Sequence, residues 1–419
     1  MRAYRLVCCA CGTEYDDDGL RLACDTPHEP SLLRTVYQAS GLHAKDPAPA
    51  GSVFRFAWLP VVRAIPGSPG PVACRAEELG RALGLSDLWI SFSGHWPERG
   101  ALLPTGTFKD LEAGVVLGRL PDDPPVLVLA SAGNTAAAFA AACVREGARC
   151  LIVVPSYAVG AVSAAAGRAD GVGLVVVEGG TYDDAIALAE AVGALDGFRP
   201  EGGIRNVGRR DGLATCLLSV FEASGRLPRH YVQAVGSGAG AVAAHEAAGR
   251  LREHGCPDPL PRLLLCQNAP YAPLHDAWHG RRTPAPAGPV VAPELTNGRP
   301  PFAVRGGVRE ALVESGGTVV VAGGDEARHA MALFERAEGV DIEPAAGVAL
   351  AGLAKAVRAG RIGTDDMVLL NITGGGRRRL CAGSGTVPVR PDLSVDVVET
   401  RDPALLEIAA KSVADAFLA

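Results

Sequence analysis

Val126-Leu127-Val128-Leu129-Ala130-Ser131-Ala132-Gly133-Asn134-Thr135 is the stretch that decides how this chain folds. Five apolar residues with no polar alternation read as a strand covered on both faces. A small-residue turn follows, and the alanine-rich run at 135–146 reads as a helix. The unit recurs. Residues 150–154, 174–178, 231–235, 263–267, 318–322 and 367–370 repeat the strand signal, and helical runs cover 182–192, 239–253, 325–338 and 344–358. Strands alternating with helices of this length predict an α/β architecture with parallel sheets flanked by helices. Ligands in such sheets bind beyond the C-terminal ends of strands, so the turns that follow strands are where chemistry is expected.

The 419 residues are enough for two to three domains with a sizeable core. With 46 acidic and 40 basic side chains the formal charge is −6, which weighs against nucleic acid as a partner. An apolar content of 48% argues against disorder. No uncharged apolar run approaches the roughly 18–20 residues of a membrane span, and the opening MRAYRLVCCACG has no apolar signal core. A cytoplasmic protein with no membrane partner is expected. Lysine is rare: only Lys45, Lys109, Lys355 and Lys411 occur beside 36 arginines. A lysine kept inside an uncharged loop then invites a chemical explanation, because only lysine offers a deprotonatable amine.

Residues 1–45 lack the strand–helix rhythm and read as an appended Cys-rich arm. Cys8-x2-Cys11-x12-Cys24-x3-His28 has the spacing of a zinc knuckle, with Cys9 as a spare thiol. Thiols packed under the arm are the alternative. A closed four-ligand site would be structural. The acidic run Asp16-Asp17-Asp18 reads as a solvated turn, and the Pro-rich residues 283–301 as a surface loop, with disorder or an active-site flap as the alternatives. The remaining seven cysteines sit singly in apolar stretches and read as core.

Four turns carry candidate chemistry. Leu103-Pro104-Thr105-Gly106-Thr107-Phe108-Lys109-Asp110 places Lys109 where a helix begins, and the positive end of the helix dipole favours a neutral amine there. An ordinary solvated lysine is the bland alternative. The Ser131–Thr135 turn offers free N–H groups to a carboxylate or ring oxygen, or simply caps its helix. Gly236-Ser237-Gly238-Ala239-Gly240 has the form of a phosphate cradle. It departs from G-x-G-x-x-G, and no acidic residue ends a strand about 20 residues on, so a dinucleotide is disfavoured. Asn371-Ile372-Thr373-Gly374-Gly375-Gly376 presents Thr373 in the same position after a strand.

Taken together and in this order, these motifs resemble the fold-type II pyridoxal-phosphate enzymes, of tryptophan synthase β-like architecture, and among them the threonine synthase family. The resemblance runs from about Phe54 to Gly376 and includes Ile342-Glu343-Pro344-Ala345-Ala346, similar to that family's V-E-P-A-S helix start. Thr107-Phe108-Lys109-Asp110-Leu111-Glu112-Ala113 departs from the threonine synthase pattern S-F-K-D-R-G and is similar to the T-F-K-x-L-E-A motif of its archaeal cysteate synthase group. The segment His28-Glu29-Pro30-Ser31-Leu32-Leu33-Arg34 is similar to that group as well.

The resemblance implies a two-domain enzyme: an arm at 1–45, a large cofactor domain at 46–120 plus 225–419, and a small domain at 121–224. It implies pyridoxal 5′-phosphate as cofactor, with Lys109 as the Schiff-base lysine and Asn134 beside the cofactor's 3′-oxygen. Gly236, Ser237, Gly238, Ala239 and Gly240 would hold its phosphate, and Thr373 would face the pyridine nitrogen. Ser131, Gly133 and Thr135 would receive the substrate carboxylate, with Thr105 and Thr107 near the leaving group. Cys8, Cys11, Cys24 and His28 remain the metal candidates for a structural zinc. The implied reaction is β-replacement of O-phospho-L-serine by sulfite through an aldimine and an aminoacrylate, giving L-cysteate. The partners are then a phosphorylated amino acid and a small anionic nucleophile, in a homodimer or other homo-oligomer. Threonine synthase chemistry on O-phosphohomoserine, another β-replacement, and an inactive ligand-binding homologue are the alternatives. Both anions call for cations or helix N-termini near Thr105, Thr107 and Ser131; Arg209, Arg210, Arg377, Arg378 and Arg379 are the candidate cations, with plain surface solvation as their alternative.

Overall fold

The computed structural model describes residues 2–44, 48–49, 51–131, 133–163, 171–284, 288–298, 300–383 and 391–418. Lys45, the arm boundary at 45/46, Ala132, and residues 285–287 and 299 of the Pro-rich segment lie outside the described residues. Two mainly parallel sheets dominate. The larger has the strand order Thr318–Ala322, Arg262–Asn268, His230–Ala234, Val368–Ile372, Leu88–Phe92 and Val72–Arg75, with only the last strand antiparallel. The smaller is parallel throughout: Phe198–Pro200, Val126–Ala130, Cys150–Pro155, Val172–Glu178 and Leu393–Asp396. Helices cover both faces of each sheet, which is why the strands read as continuous apolar runs.

The domain division expected from sequence needs three corrections. The strand Leu393–Asp396 joins the small sheet, and the helix Pro403–Leu418 buries Ala409, Ala410, Val413 and Ala414 with the small sheet's apolar side chains. The C-terminal stretch thus returns to the small sheet instead of ending in the large domain. The helix Lys109–Arg119 packs Leu111, Val115 and Val116 into a core shared with Leu127, Ile152 and Val176 of the small sheet. Conversely, the helix Val207–Ser224 puts Leu213, Leu217 and Val220 against Tyr231, Leu265 and Leu369 of the large sheet. These choices depend on which apolar face finds which sheet, and a local pattern carries no such information.

The arm is a three-stranded antiparallel sheet, with Tyr4–Cys8 between Glu14–Tyr15 and Leu33–Tyr37. Its docking corrects a further expectation. Asp17 is not a solvated turn residue but has a fully buried carboxylate. It accepts from Arg119 Nη2 at 2.7 Å and Nε at 2.9 Å, from Tyr4 Oη at 2.6 Å, and from Arg2 at 3.0 Å. Burial alone would raise the Asp17 pKa, but these donors outweigh it and hold the carboxyl below its usual range. Arg119 ends the helix that Lys109 begins, and its Nη1 donates to Asn206 Oδ1 at 2.9 Å. Asn206 caps the helix Val207–Ser224. One buried arginine therefore joins the arm to the ends of two helices.

Arg119→Ala leaves Asp17 buried without its main partner, so we expect a loss of about 3–5 kcal/mol in urea unfolding. A change below about 1 kcal/mol would mean that the pair does not hold the arm.

Candidate active site

Three strand-ending turns and one helix start close around a single cleft. The helix Asn134–Glu146 follows the strand Val126–Ala130, the helix Ala239–Glu253 follows His230–Ala234, and Thr373 follows Val368–Ile372. Lys109, at the first position of its own helix, faces all three. Lys109, Ser131, Gly133, Asn134, Thr135, the whole Gly236–Gly240 turn and Thr373 line this cleft. In sequence they fall in four separate segments.

Gly238 takes φ +84°, and a Cβ there would collide with Val308. A glycine is required at this point to turn the chain, so that the first-turn N–H groups of Ala239–Glu253 open into the cleft. The Ala241 and Val242 amides donate to the Gly238 carbonyl at 3.0 and 3.1 Å, so the amides before them carry the positive end of the helix dipole, which suits a phosphate. The Ser131 hydroxyl accepts from the Gly133 and Ala136 amides, each at 3.0 Å, so it caps its helix and has its O–H proton left to offer. Asn134 donates to Glu343 Oε2 at 2.9 Å and accepts from Arg377 at 3.0 Å. Burial, and then the neighbouring Glu294 carboxylate, push the Glu343 carboxyl up to about 7 against the opposing pull of Arg377.

Two further expected site residues stand in the turn before Lys109. Thr105 donates to Asp110 Oδ1 at 2.9 Å while its amide donates to Oδ2 at 2.9 Å. The Thr107 hydroxyl accepts from the Lys109 amide at 3.3 Å. Both are buried and shape the turn before Lys109, but neither is among the cleft-lining residues. Of the candidate cations, Arg209 lines the cleft and Arg377 reaches Asn134. Arg210 is spent on the carbonyls of Ile204 and Leu33 and on Glu246. Arg378 pairs with Glu335, and Arg379 with Glu98.

Sequence reading missed the group that organises the cleft wall. Glu112, one turn after Lys109, has a fully buried carboxylate. Its Oε2 is 3.1 Å from Lys109 Nζ, and its Oε1 is 2.7 Å from Arg209 Nη1 and 3.2 Å from Thr135 Oγ1. Arg209 also grips Glu201 through two nitrogens. Burial lowers the Lys109 pKa, and Glu112 only partly restores it, so the amine is easier to deprotonate than an exposed lysine. Burial works the same way on Arg209, but Glu112 and Glu201 more than offset it. The i, i+3 spacing from Lys109 was the available signal, since it puts both side chains on one helix face. Leu111, where an arginine would stand in the threonine synthase pattern, is buried in the core instead. Described residues of the Pro-rich segment reach the cleft. Glu294, Leu295 and Asn297 line the cleft, and the Ala292 amide donates to Asn268.

Glu112→Gln keeps the shape of the side chain but removes the charge that raises the Lys109 pKa. The midpoint for Lys109 labelling by an amine-selective reagent, read by peptide mass spectrometry across pH, is expected to move to lower pH. An unmoved midpoint would show that Glu112 does not tune the amine.

The comparisons with known proteins agree with this geometry. Residues 93–374 match the family model described as pyridoxal-phosphate dependent enzyme. The cysteate synthase of Methanosarcina acetivorans is 41% identical over 410 residues, covering 94% of this chain and 97% of that protein. The cysteate synthase of Methanoregula boonei is 43% identical over 419 residues, covering 97% of each. Among solved structures, threonine synthase from Escherichia coli superposes with a TM-score of 0.60 at 18% identity, over 84% of this chain and 82% of that one. Maize serine racemase gives 0.57 at 17% identity, over 73% and 88%. At such identities these two structures speak for the fold alone, which is the expected fold-type II architecture. With the cleft, the family match and the near-full-length relatives in agreement, the chain belongs to the pyridoxal-phosphate dependent enzymes, in the family of the cysteate synthases.

Proposed function

We propose that this enzyme replaces the phosphate of O-phospho-L-serine with sulfite, releasing L-cysteate and inorganic phosphate. The observation that carries the reading is the convergence of Lys109, Asn134, the Gly236–Gly240 turn and Thr373 on one cleft, in a chain over 40% identical to cysteate synthases along nearly its whole length. The residues present fit pyridoxal phosphate: an amine of lowered pKa, an anion cradle at a helix start, and a hydroxyl after a central strand. Bound there, the cofactor supplies an electron sink that acidifies the substrate's Cα proton.

The chain's own residues do the rest. Gly236, Ser237, Gly238, Ala239 and Gly240 would hold the cofactor phosphate, Asn134 would stand beside its ring oxygen, and Thr373 would face its ring nitrogen. A hydroxyl there leaves the ring nitrogen without a proton, which favours elimination and replacement. Ser131, Gly133 and Thr135, at the start of the helix Asn134–Glu146, offer hydroxyls and N–H groups to the substrate carboxylate. The Lys109 amine takes the Cα proton, and the Cβ–O bond breaks with its electron pair leaving on phosphate. The sulfur lone pair of sulfite then forms the Cβ–S bond, and Lys109 returns the proton to Cα. Glu112 keeps the lysine aimed, and Arg209 holds Glu112 in place. Thr105 and Thr107 then act by shaping the turn that presents Lys109, not by touching the leaving group. The same reading includes a cytoplasmic homo-oligomer, whose size light scattering measures.

The test is to add O-phospho-L-serine and then sulfite to the cofactor-loaded protein, following the visible absorbance and identifying products by mass spectrometry. Cysteate and one phosphate per turnover are expected. Threonine from O-phosphohomoserine, with no response to phosphoserine, would overturn the reading in favour of threonine synthase. Absence of any cofactor band after adding pyridoxal phosphate would overturn the enzyme itself. Lys109→Ala is expected to cost roughly 10²–10⁴-fold in rate. Thr373→Ala is expected to retain cofactor while slowing turnover, and an unchanged rate would remove Thr373 from the mechanism.

A further inference from the structure

Outside the cleft, the arm gathers a second set of reactive groups. The sulfurs of Cys8, Cys11 and Cys24 and one ring nitrogen of His28 all lie within 4.8 Å of one another. Cys11 Sγ stands 3.7 Å from Cys24 Sγ, and Cys8 Sγ stands 3.2 Å from His28 Nε2. At tetrahedral zinc distances two sulfurs stand about 3.8 Å apart, and a sulfur and a nitrogen about 3.5 Å. His28 Nδ1 lies 2.6 Å from the Glu29 carbonyl. Donation of Nδ1–H there leaves Nε2 bare toward the sulfurs, the arrangement that orients histidine ligands. A tight turn, closed by the Gly12 amide on the Cys8 carbonyl at 3.0 Å, presents the first cysteine pair. Cys9 takes no part, since its sulfur packs at Gly306.

We propose that Cys8, Cys11, Cys24 and His28 bind one zinc ion, and that the ion holds in register the two helices that carry Lys109 and Arg209. Three sulfurs and one nitrogen complete a tetrahedron and leave no open position, so the metal is structural. The thiol protons it displaces go to solvent. The 12 residues between Cys11 and Cys24 form the loop that the metal closes, which removes much of that loop's conformational freedom. Within the loop lies the grip on Arg119: the Asp17 carboxylate, and the Arg21 carbonyl, which accepts from Arg119 Nη2 at 2.8 Å. Leu22, in the same loop, packs at Gly202, next to the Glu201 that bonds Arg209. From Arg119 the chain of contacts continues to Asn206, the cap of the helix that bears Arg209. Metal, loop, Arg119 and the two helix ends form one connected path to the wall of the cleft. The metal site itself does not depend on which amino acid the enzyme uses.

Three measurements test this on the full-length protein. Elemental analysis is expected to find about one zinc per chain in the wild type and none in Cys11→Ser/Cys24→Ser. Cobalt(II) added to chelated wild-type protein is expected to give thiolate-to-cobalt charge-transfer bands and tetrahedral d–d bands, which needs no variant to fold. Asp17→Asn is expected to keep its zinc. Both Asp17→Asn and the metal-free protein should show a lower Tm and weaken pyridoxal-phosphate binding by about tenfold. A wild-type chain with no metal after growth in zinc-supplemented medium, or with a Cys11–Cys24 disulfide in its place, overturns the site. Zinc retained by the double variant overturns the ligand set. An unchanged cofactor Kd in metal-free protein overturns the link to the helices.

Discussion

Lys109 and Arg209 can share one buried wall only because a carboxylate stands between them. Glu112 lies 3.1 Å from the amine and 2.7 Å from the guanidinium, with none of its carboxylate exposed. Two cations in a site of low dielectric repel strongly, and each would carry a desolvation cost without a partner. Glu112 and Glu201 together balance the pair. That balance requires the helices Lys109–Arg119 and Val207–Ser224 to lie close along their length. Gly212 permits the approach, since a Cβ there would come within 2.7 Å of the Leu111 carbonyl. The position of the small sheet relative to the large one follows from this contact, because one helix packs on each sheet.

The same arrangement divides the labour among the cleft's residues. Helix starts and turns supply N–H groups whose placement is set by backbone and need no charged side chain for an anion. In the proposed mechanism the charged side chains serve proton transfer and hold that group still. Arg209 illustrates the distinction. In sequence it looks like a binder of anions, but in the fold two carboxylates occupy its donors. Its electrostatic work is directed inward, toward Glu112, with little charge left over for a ligand.

Much of this was legible beforehand. Each strand that ends at the cleft announced itself as an apolar run ending in a small-residue turn, and the turns after Ala130, Ala234 and Ile372 all reach the site. Lys109 stood out because lysine is rare here and sits at a helix start. What escaped was set by partners distant in sequence. Thr105 had a suitable hydroxyl, but it donates to Asp110, and the Thr107 hydroxyl accepts from the Lys109 amide in the turn that starts the helix. Asp17 looked like one of three solvated acids until Arg119, 102 residues away, is seen to bury it. The arm's strands are short, and a two-residue strand such as Glu14–Tyr15 has no periodicity to read.

The sequence by itself determined the α/β class, the parallel strand–helix repeat and the motif set that places the chain among pyridoxal-phosphate enzymes, because those features are written in local spacing and in which turns follow strands. The tertiary structure alone decided that residues 393–418 return to the small sheet, that Glu112 and Arg209 face Lys109, and that the arm's Asp17 ties two helix ends together. Those are outcomes of long-range packing. A buried charge fixes its partner by distance in space, and no local pattern of residues records that distance.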